Sequence, residues 1–185
     1  MIAIDTRAQR KSKDFTNGNL NYKIFAADLK NLMNELNMDK VNILGWSDGG
    51  NTGLEFALQY PENLNKLVII GANAFPKGVE EGLLKSFQDK IKWMEMANQP
   101  ENETERRLLK LMITEPDINR KQLNTIQNPV FVIAGENDVI KKEHTGMLAK
   151  EIPEAKLKIY PKASHHLPFE IADHLNKDIV DFLKN

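Results

Sequence analysis

The chain has 185 residues, 41% of them apolar and 28% charged, which is enough for one domain with a real core and ordinary for a globular protein. Its 25 basic and 26 acidic residues leave a net charge of −1, so nothing draws it toward nucleic acid or an anionic membrane. There is no cysteine, which excludes disulfides, thiolate zinc sites and cysteine nucleophiles and fits a cytoplasmic protein; no apolar run approaches the roughly 20 residues that span a bilayer.

Met1 to Ile4 is a short apolar run closed by Asp5-Thr6-Arg7, and it predicts a buried strand. The same residues lack the basic and apolar regions of a signal peptide. Residues 8–20 are polar and predict a loop, and 22–37 carry Phe25, Leu29, Leu32, Met33 and Leu36 at helical spacing. Val41 to Gly45 predicts a second strand, followed by a helix from about Gly49 to Tyr60 that Pro61 stops. Leu67 to Gly71 predicts a third strand. Residues 79–97 and 103–113 predict helices in the most polar part of the chain. Val130 to Gly135 predicts a fourth strand, 142–151 a helix, Lys156 to Tyr160 an alternating fifth strand, and 169–184 a closing helix with Ala172, Leu175, Ile179, Phe182 and Leu183 inward. Strands alternating with helices imply an α/β fold, a mostly parallel sheet with helices on both faces and right-handed crossovers. Residues 1–185 read as a single domain in which 74–128 breaks the alternation with helices alone, as a small helical cap over the ligand-binding edge of the sheet would.

Gly45-Trp46-Ser47-Asp48-Gly49 joins a strand directly to a helix. The turn is tight, so small residues are needed on both sides of the serine, and Gly45 and Gly49 supply them. Ser47 then sits above the sheet at a helix N-terminus, where free N–H groups and the helix dipole favour negative charge. The backbone N–H of Asp48 is the candidate oxyanion donor. Without chemistry, the same sequence would be a Gly-Ser turn that caps a helix.

A serine hydroxyl needs a base, and the base needs an orienting acid. In a sheet with such a turn the chain order is serine, acid, histidine. Gly135-Glu136-Asn137-Asp138 follows one strand and Ala163-Ser164-His165-His166 precedes the last helix. Asp138 is the first candidate for the acid and Glu136 the second; either would otherwise be a loop charge or a cap. Of the four histidines, His144 and His174 fall on helices and read as surface residues, which leaves His165, with His166 as the alternative base. No carboxylate pattern beside the pair supports a metal site, and the chemistry requires no cofactor.

At these residues the sequence resembles the α/β-hydrolase superfamily over nearly its whole length. The resemblance rests on Ile4-Asp5-Thr6-Arg7, Gly45-Trp46-Ser47-Asp48-Gly49-Gly50, Gly71-Ala72-Asn73, Ala134-Gly135-Glu136-Asn137-Asp138 and Ala163-Ser164-His165. The elbow together with Gly71-Ala72-Asn73 is similar to the biphenyl-hydrolase-like (valacyclovirase) branch. That resemblance implies cleavage of amino-acid esters, with Asp48 as a candidate anchor for the substrate amine. Trp46, beside the serine, is a separate candidate for substrate binding as a lining of the acyl pocket. Otherwise Asp48 caps the elbow helix and Trp46 packs under the cap.

Two departures from the family pattern shape the expectations. Asp5-Thr6-Arg7-Ala8-Gln9-Arg10-Lys11-Ser12 lacks both glycines of the family's D-x-R-G-x-G-x-S. The family also carries about three strands and a His-Gly loop ahead of the position matched by Ile4, and that loop supplies a second oxyanion donor. The chain therefore reads as an N-terminally truncated member, and one missing donor costs about 2.7–4 kcal/mol of transition-state stabilisation. The exposed sheet edge predicts a homo-oligomer or a direct pairing of strand 1–4 with 41–45. The expected activity is serine-dependent cleavage of a small-molecule ester. Rival readings are a C–C hydrolase, aminopeptidase or acyltransferase on the same residues, and a catalytically dead binding protein.

Overall fold

The computed structural model describes residues 1–97 and 102–185. The chain forms α1 (Tyr22–Glu35), β1 (Val41–Trp46), α2 (Asp48–Gln59), β2 (Leu64–Ile70), α3 (Glu81–Ala97), α4 (Glu103–Thr114), α5 (Arg120–Leu123), β3 (Val130–Asn137), α6 (Lys142–Glu151), β4 (Ala155–Ser164), α7 (Leu167–Glu170) and α8 (Ala172–Lys184). Short 3₁₀ turns at Pro61–Asn63 and Pro76–Gly78 lead into and out of β2.

The four strands form one sheet in the order β1-β2-β3-β4, every pair parallel. Alternate side chains of the central strands go to opposite faces, as the pleat requires. Leu67, Ile69, Val130 and Val132 pack with Ala26 and Met33 of α1, Leu54 and Phe56 of α2, and Leu148 of α6. Val68, Ile70, Phe131 and Ile133 face the other way, onto Leu167 and onto Leu175, Ile179 and Phe182 of α8. Both faces of the sheet therefore carry helices, as the alternating sequence pattern implies.

The register sets the working edge. Trp46 lies beside Ile70 and Asn137 beside Ser164, so the residues that leave the sheet next are Ser47, Gly71, Asp138 and His165. Of the segment 74–128, residues 98–101 lie outside the described residues; the rest holds α3, α4 and α5 and no strand. Leu111 of α4 packs with Leu20, Tyr22 and Phe25, and Arg107 of α4 pairs with Asp14 at 2.6 Å, which ties this segment to the first residues of the body.

Three elements differ from expectation. Residues 1–4 form no strand: Met1, Ile2 and Ile4 are exposed and pair with nothing among the described residues. Four apolar residues become a strand only when a neighbouring edge satisfies their backbone, and none does here. The predicted closing helix is two helices, α7 and α8, split at Ile171 (φ −136°). α5 is a single turn fixed by a capping box between Asn119 and Gln122, too short for periodicity to reveal.

Candidate active site

Ser47 adopts φ 54°, ψ −120° between β1 and α2, a left-handed backbone uncommon for a residue with a side chain. The turn is held by Ser47 N–H donating to the Ile70 carbonyl at 2.8 Å and by the Gly50 and Asn51 N–H groups donating to the Ser47 carbonyl. A Cβ at Gly45 would lie 2.1 Å from the Gly49 carbonyl oxygen, so position 45 has no room for a side chain. Gly49 itself faces open space, and the second close approach falls at Gly50, against Ala72. The small residue required after the serine is thus Gly50 rather than Gly49.

His165 Nε2 is 3.0 Å from Ser47 Oγ, and His165 Nδ1 is 2.8 Å from Asp138 Oδ1. The Asp138 side chain is 1% exposed, and its Oδ1 also accepts from the Ile140 N–H at 2.9 Å. With the carboxylate acting as acceptor, Nδ1 carries the proton and Nε2 presents its lone pair to Ser47. Asp138 Oδ2 is buried with no hydrogen-bond partner among the described residues. Gly71, at φ +58°, lies against this pair: a Cβ there would be 2.8 Å from His165 Nδ1 and 3.1 Å from Asp138 Oδ2.

Neither second candidate hydrogen-bonds to Ser47 or His165 among the described residues. Glu136 is exposed and accepts from the Lys162 backbone N–H at 2.8 Å. His166 is exposed at the rim of the cavity beside His165, and its backbone N–H donates to Ser164 Oγ. Glu170 accepts from both the Ser164 hydroxyl and its N–H, which holds the loop that presents His165.

A cavity of about 430 Å³ opens over the row. Its walls include Ser47, Asp48, His165 and Tyr22, with Asn73, Val79 and Ile140 beside them and Leu83, Phe87, Met112 and Glu115 from the segment 74–128. Asp48 is the first residue of α2, where a helix leaves its N–H groups without intrahelical acceptors. Its carboxylate accepts from the Tyr22 hydroxyl at 2.6 Å, and burial raises its pKa against the opposing effects of Tyr22 and His165. Burial also raises the pKa of Glu115.

Trp46 requires a correction: it is not among the residues lining the cavity. Its Nε1 donates to the His165 carbonyl at 2.9 Å, and its ring packs with His165 and Phe169. An indole at the end of β1 reaches sideways to the neighbouring loop and steadies the histidine. A second cavity, about 400 Å³, lies between residues 4–16 and α1 and contains none of Ser47, Asp138 or His165.

His144 also departs from expectation. It is buried, and its Nε2 accepts from the Ala74 N–H at 2.9 Å while its ring stands edge-on to Phe75. Burial, with Lys141 and Arg120 nearby, lowers its pKa to about 4, so it is a neutral acceptor at pH 7. Its position four residues before the buried Leu148 was the available signal. Tyr22, three residues before Phe25, shares the inward face of α1 by the same periodicity. Among the described residues no group of three His, Asp or Glu side chains could hold a metal ion, and no helix is long and apolar enough to cross a membrane.

A family model described as alpha/beta hydrolase fold matches residues 1–112. Serine hydrolase BPHL of Mus musculus and that of Homo sapiens are each 30% identical to the chain over 174 residues, which cover 86% of it. The chain spans 60% of the length of these two curated relatives. A 2-hydroxy-6-oxo-6-phenylhexa-2,4-dienoate hydrolase of Burkholderia cepacia is 26% identical over 202 residues, covering 86% of this chain and 68% of its own. Among solved structures, a meta-cleavage product hydrolase of Pseudomonas fluorescens IP01 superimposes with a TM-score of 0.76 at 20% identity, covering 97% of this chain and 78% of that one. An enol-lactonase of Burkholderia xenovorans LB400 gives 0.74 at 23%, with 98% and 79% covered.

Proposed function

The chain belongs to the α/β-hydrolase fold family, and we propose that it is a serine hydrolase that cleaves carboxylic esters through an acyl-enzyme. The observation that carries this reading is the continuous row Ser47 Oγ, His165 Nε2, His165 Nδ1 and Asp138 Oδ1, with separations of 3.0 and 2.8 Å. Ser47 attacks the ester carbon as His165 takes its proton. Asp138 keeps the imidazole in the tautomer that can accept it. The Asp48 N–H receives the oxyanion. His165 then returns the proton to the departing alcohol, and a water molecule repeats the sequence on the acyl-enzyme.

A finer part of the proposal concerns charge. Asp48 and Glu115 both line the cavity, which favours an ester bearing an ammonium group, such as an aminoacyl ester. Leu83, Phe87 and Met112, from the described part of 74–128, supply apolar contacts over the site.

The test combines labelling with turnover. A fluorophosphonate probe is expected to label Ser47 in the folded chain, and p-nitrophenyl butyrate is expected to turn over faster than with Ser47→Ala. No labelling and no excess turnover would overturn the hydrolase reading in favour of a binding protein. Asp48→Asn is expected to lower kcat/KM for an alanyl p-nitrophenyl ester about 10- to 100-fold relative to the butyrate, as loss of a charge-assisted hydrogen bond implies.

A further inference from the structure

Asn73 belongs to the Gly71-Ala72-Asn73 turn, and nothing in the reaction above uses its side chain. It is 6% exposed, and it lines the cavity that Ser47 and His165 share. Its orientation follows from its partner, Asn51 of α2, which is 2% exposed. The Asn73 backbone N–H, which can only donate, lies 2.8 Å from one terminal atom of the Asn51 amide, so that atom is the oxygen. The other Asn51 terminal atom is then the nitrogen, and it lies 3.0 Å from the Asn73 side chain. The Asn73 atom that meets it must be Oδ1. Asn73 Nδ2 is therefore turned away from Asn51, and it has no acceptor among the described residues.

Across the same cavity, the Tyr22 hydroxyl donates to Asp48 Oδ1 at 2.6 Å. The cavity therefore presents two groups of opposite polarity, the carboxylate of Asp48 and the amide NH2 of Asn73. With its oxygen held by Asn51, the Asn73 amide keeps its NH2 free to donate to an acceptor that arrives with a ligand.

We propose that Asn73 is a substrate-binding residue whose amide NH2 donates to a second acceptor oxygen on the ester, outside the scissile carboxyl, so that the site selects polar esters over plain alkyl ones. This rests on the hydrolase reading above. It deepens that reading by adding a required acceptor to the substrate.

The experiment compares p-nitrophenyl butyrate with p-nitrophenyl methoxyacetate, in which an ether oxygen replaces one methylene. Asn73→Asp keeps an oxygen toward Asn51 Nδ2 and replaces the donor NH2 with a carboxylate oxygen that can only accept. It is expected to lower the methoxyacetate-to-butyrate ratio of kcat/KM about 5- to 30-fold, the range for one lost hydrogen bond. Asn73→Leu, which also breaks the hydrogen bond from Asn51, is expected to lower the ratio similarly even if both absolute rates fall. A purely structural Asn73 would depress both esters alike; an unchanged ratio in Asn73→Asp overturns the proposal. A parallel calorimetric titration uses the Ser47→Ala chain with methoxyacetanilide and butyranilide. Tighter binding of methoxyacetanilide that vanishes when Asn73→Asp is added supports the inference even if the parent chain turns over no ester, which would overturn the hydrolase reading alone. Equal binding of the two anilides counts against the Asn73 role.

Discussion

Ser47 holds a left-handed backbone that a side-chain-bearing residue adopts at a cost of about 1–2 kcal/mol. The elbow imposes it, because Gly45 must pass within contact of Gly49 and the chain must turn from β1 into α2 without a spacer. Ser47→Gly is therefore expected to unfold at a higher denaturant concentration than Ser47→Ala, by about 1 kcal/mol, although neither hydrolyses ester. Equal stability of the two would mean that the backbone at 47 relaxes. Asp138→Asn keeps the shape of the acid but favours the wrong imidazole tautomer, and it is expected to lower kcat by about 10⁴ without changing the fold seen by circular dichroism. Gly71 acts through space alone. A methyl group there would collide with His165 Nδ1 and occupy an unfavourable φ of +58°, so Gly71→Ala is expected to lower kcat far more than it raises KM.

At the scale of elements, the site depends on the loops after β3 and β2 being fastened to each other. Val79 bridges Ile140, the Lys141 N–H donates to the Gly78 carbonyl, the Glu80 N–H donates to the Val139 carbonyl, and His144 accepts from Ala74. His144 makes this seam sensitive to acid. Its pKa is about 4 in the folded chain and 6.5 when unfolded, so between those values the unfolded chain binds a proton that the folded chain excludes. Stability contributed by the neutral ring is complete above pH 6.5 and falls as the pH drops toward 4, by about 3 kcal/mol in all. Denaturant titrations at pH 7 and 4.5 are expected to show a larger loss for the parent chain than for His144→Gln, which retains an acceptor and does not titrate. Much of this level was legible in the sequence. Val41 to Leu44 is β-rich and ends in glycine, and Gly135 to Asp138 and Ala163 to His165 follow strands, so the order serine, acid, histidine could be read directly. The roles of His144 and Asn73 could not, because each depends on a partner distant in sequence: His144 accepts from the Ala74 N–H, and the Asn51 amide holds both the backbone N–H and the side-chain oxygen of Asn73. The misread strand at 1–4 has the same origin: a strand is a relation between two segments, and four apolar residues specify only one.

At the scale of the whole molecule, the sheet has two different edges. β4 pairs with β3 alone among the described residues, but it carries Lys156, Lys158, Pro161 and Lys162, which guard against further pairing, and its Lys158 and Tyr160 both bind Asp178 of α8. β1 pairs with β2 alone among the described residues, and its outer backbone groups have no strand beside them. Val41 and Ile43 pack inward, whereas Leu44 stays 51% exposed on the opposite face. A six-residue parallel edge strand with an exposed leucine carries no inward charge or proline to block pairing. We propose that two copies join β1 to β1 in antiparallel fashion about a two-fold axis, since only that arrangement satisfies both edges identically. Sedimentation velocity is expected to show a dimer that dissociates on dilution. Leu44→Lys places a charge beside its symmetry mate and is expected to shift the chain to monomer at every concentration. Leu44 is not among the residues lining the Ser47 cavity, so ester turnover per chain is expected to survive the change. A parent chain that sediments as a monomer throughout would overturn the pairing, and a dimer that ignores Leu44→Lys would move it to another face.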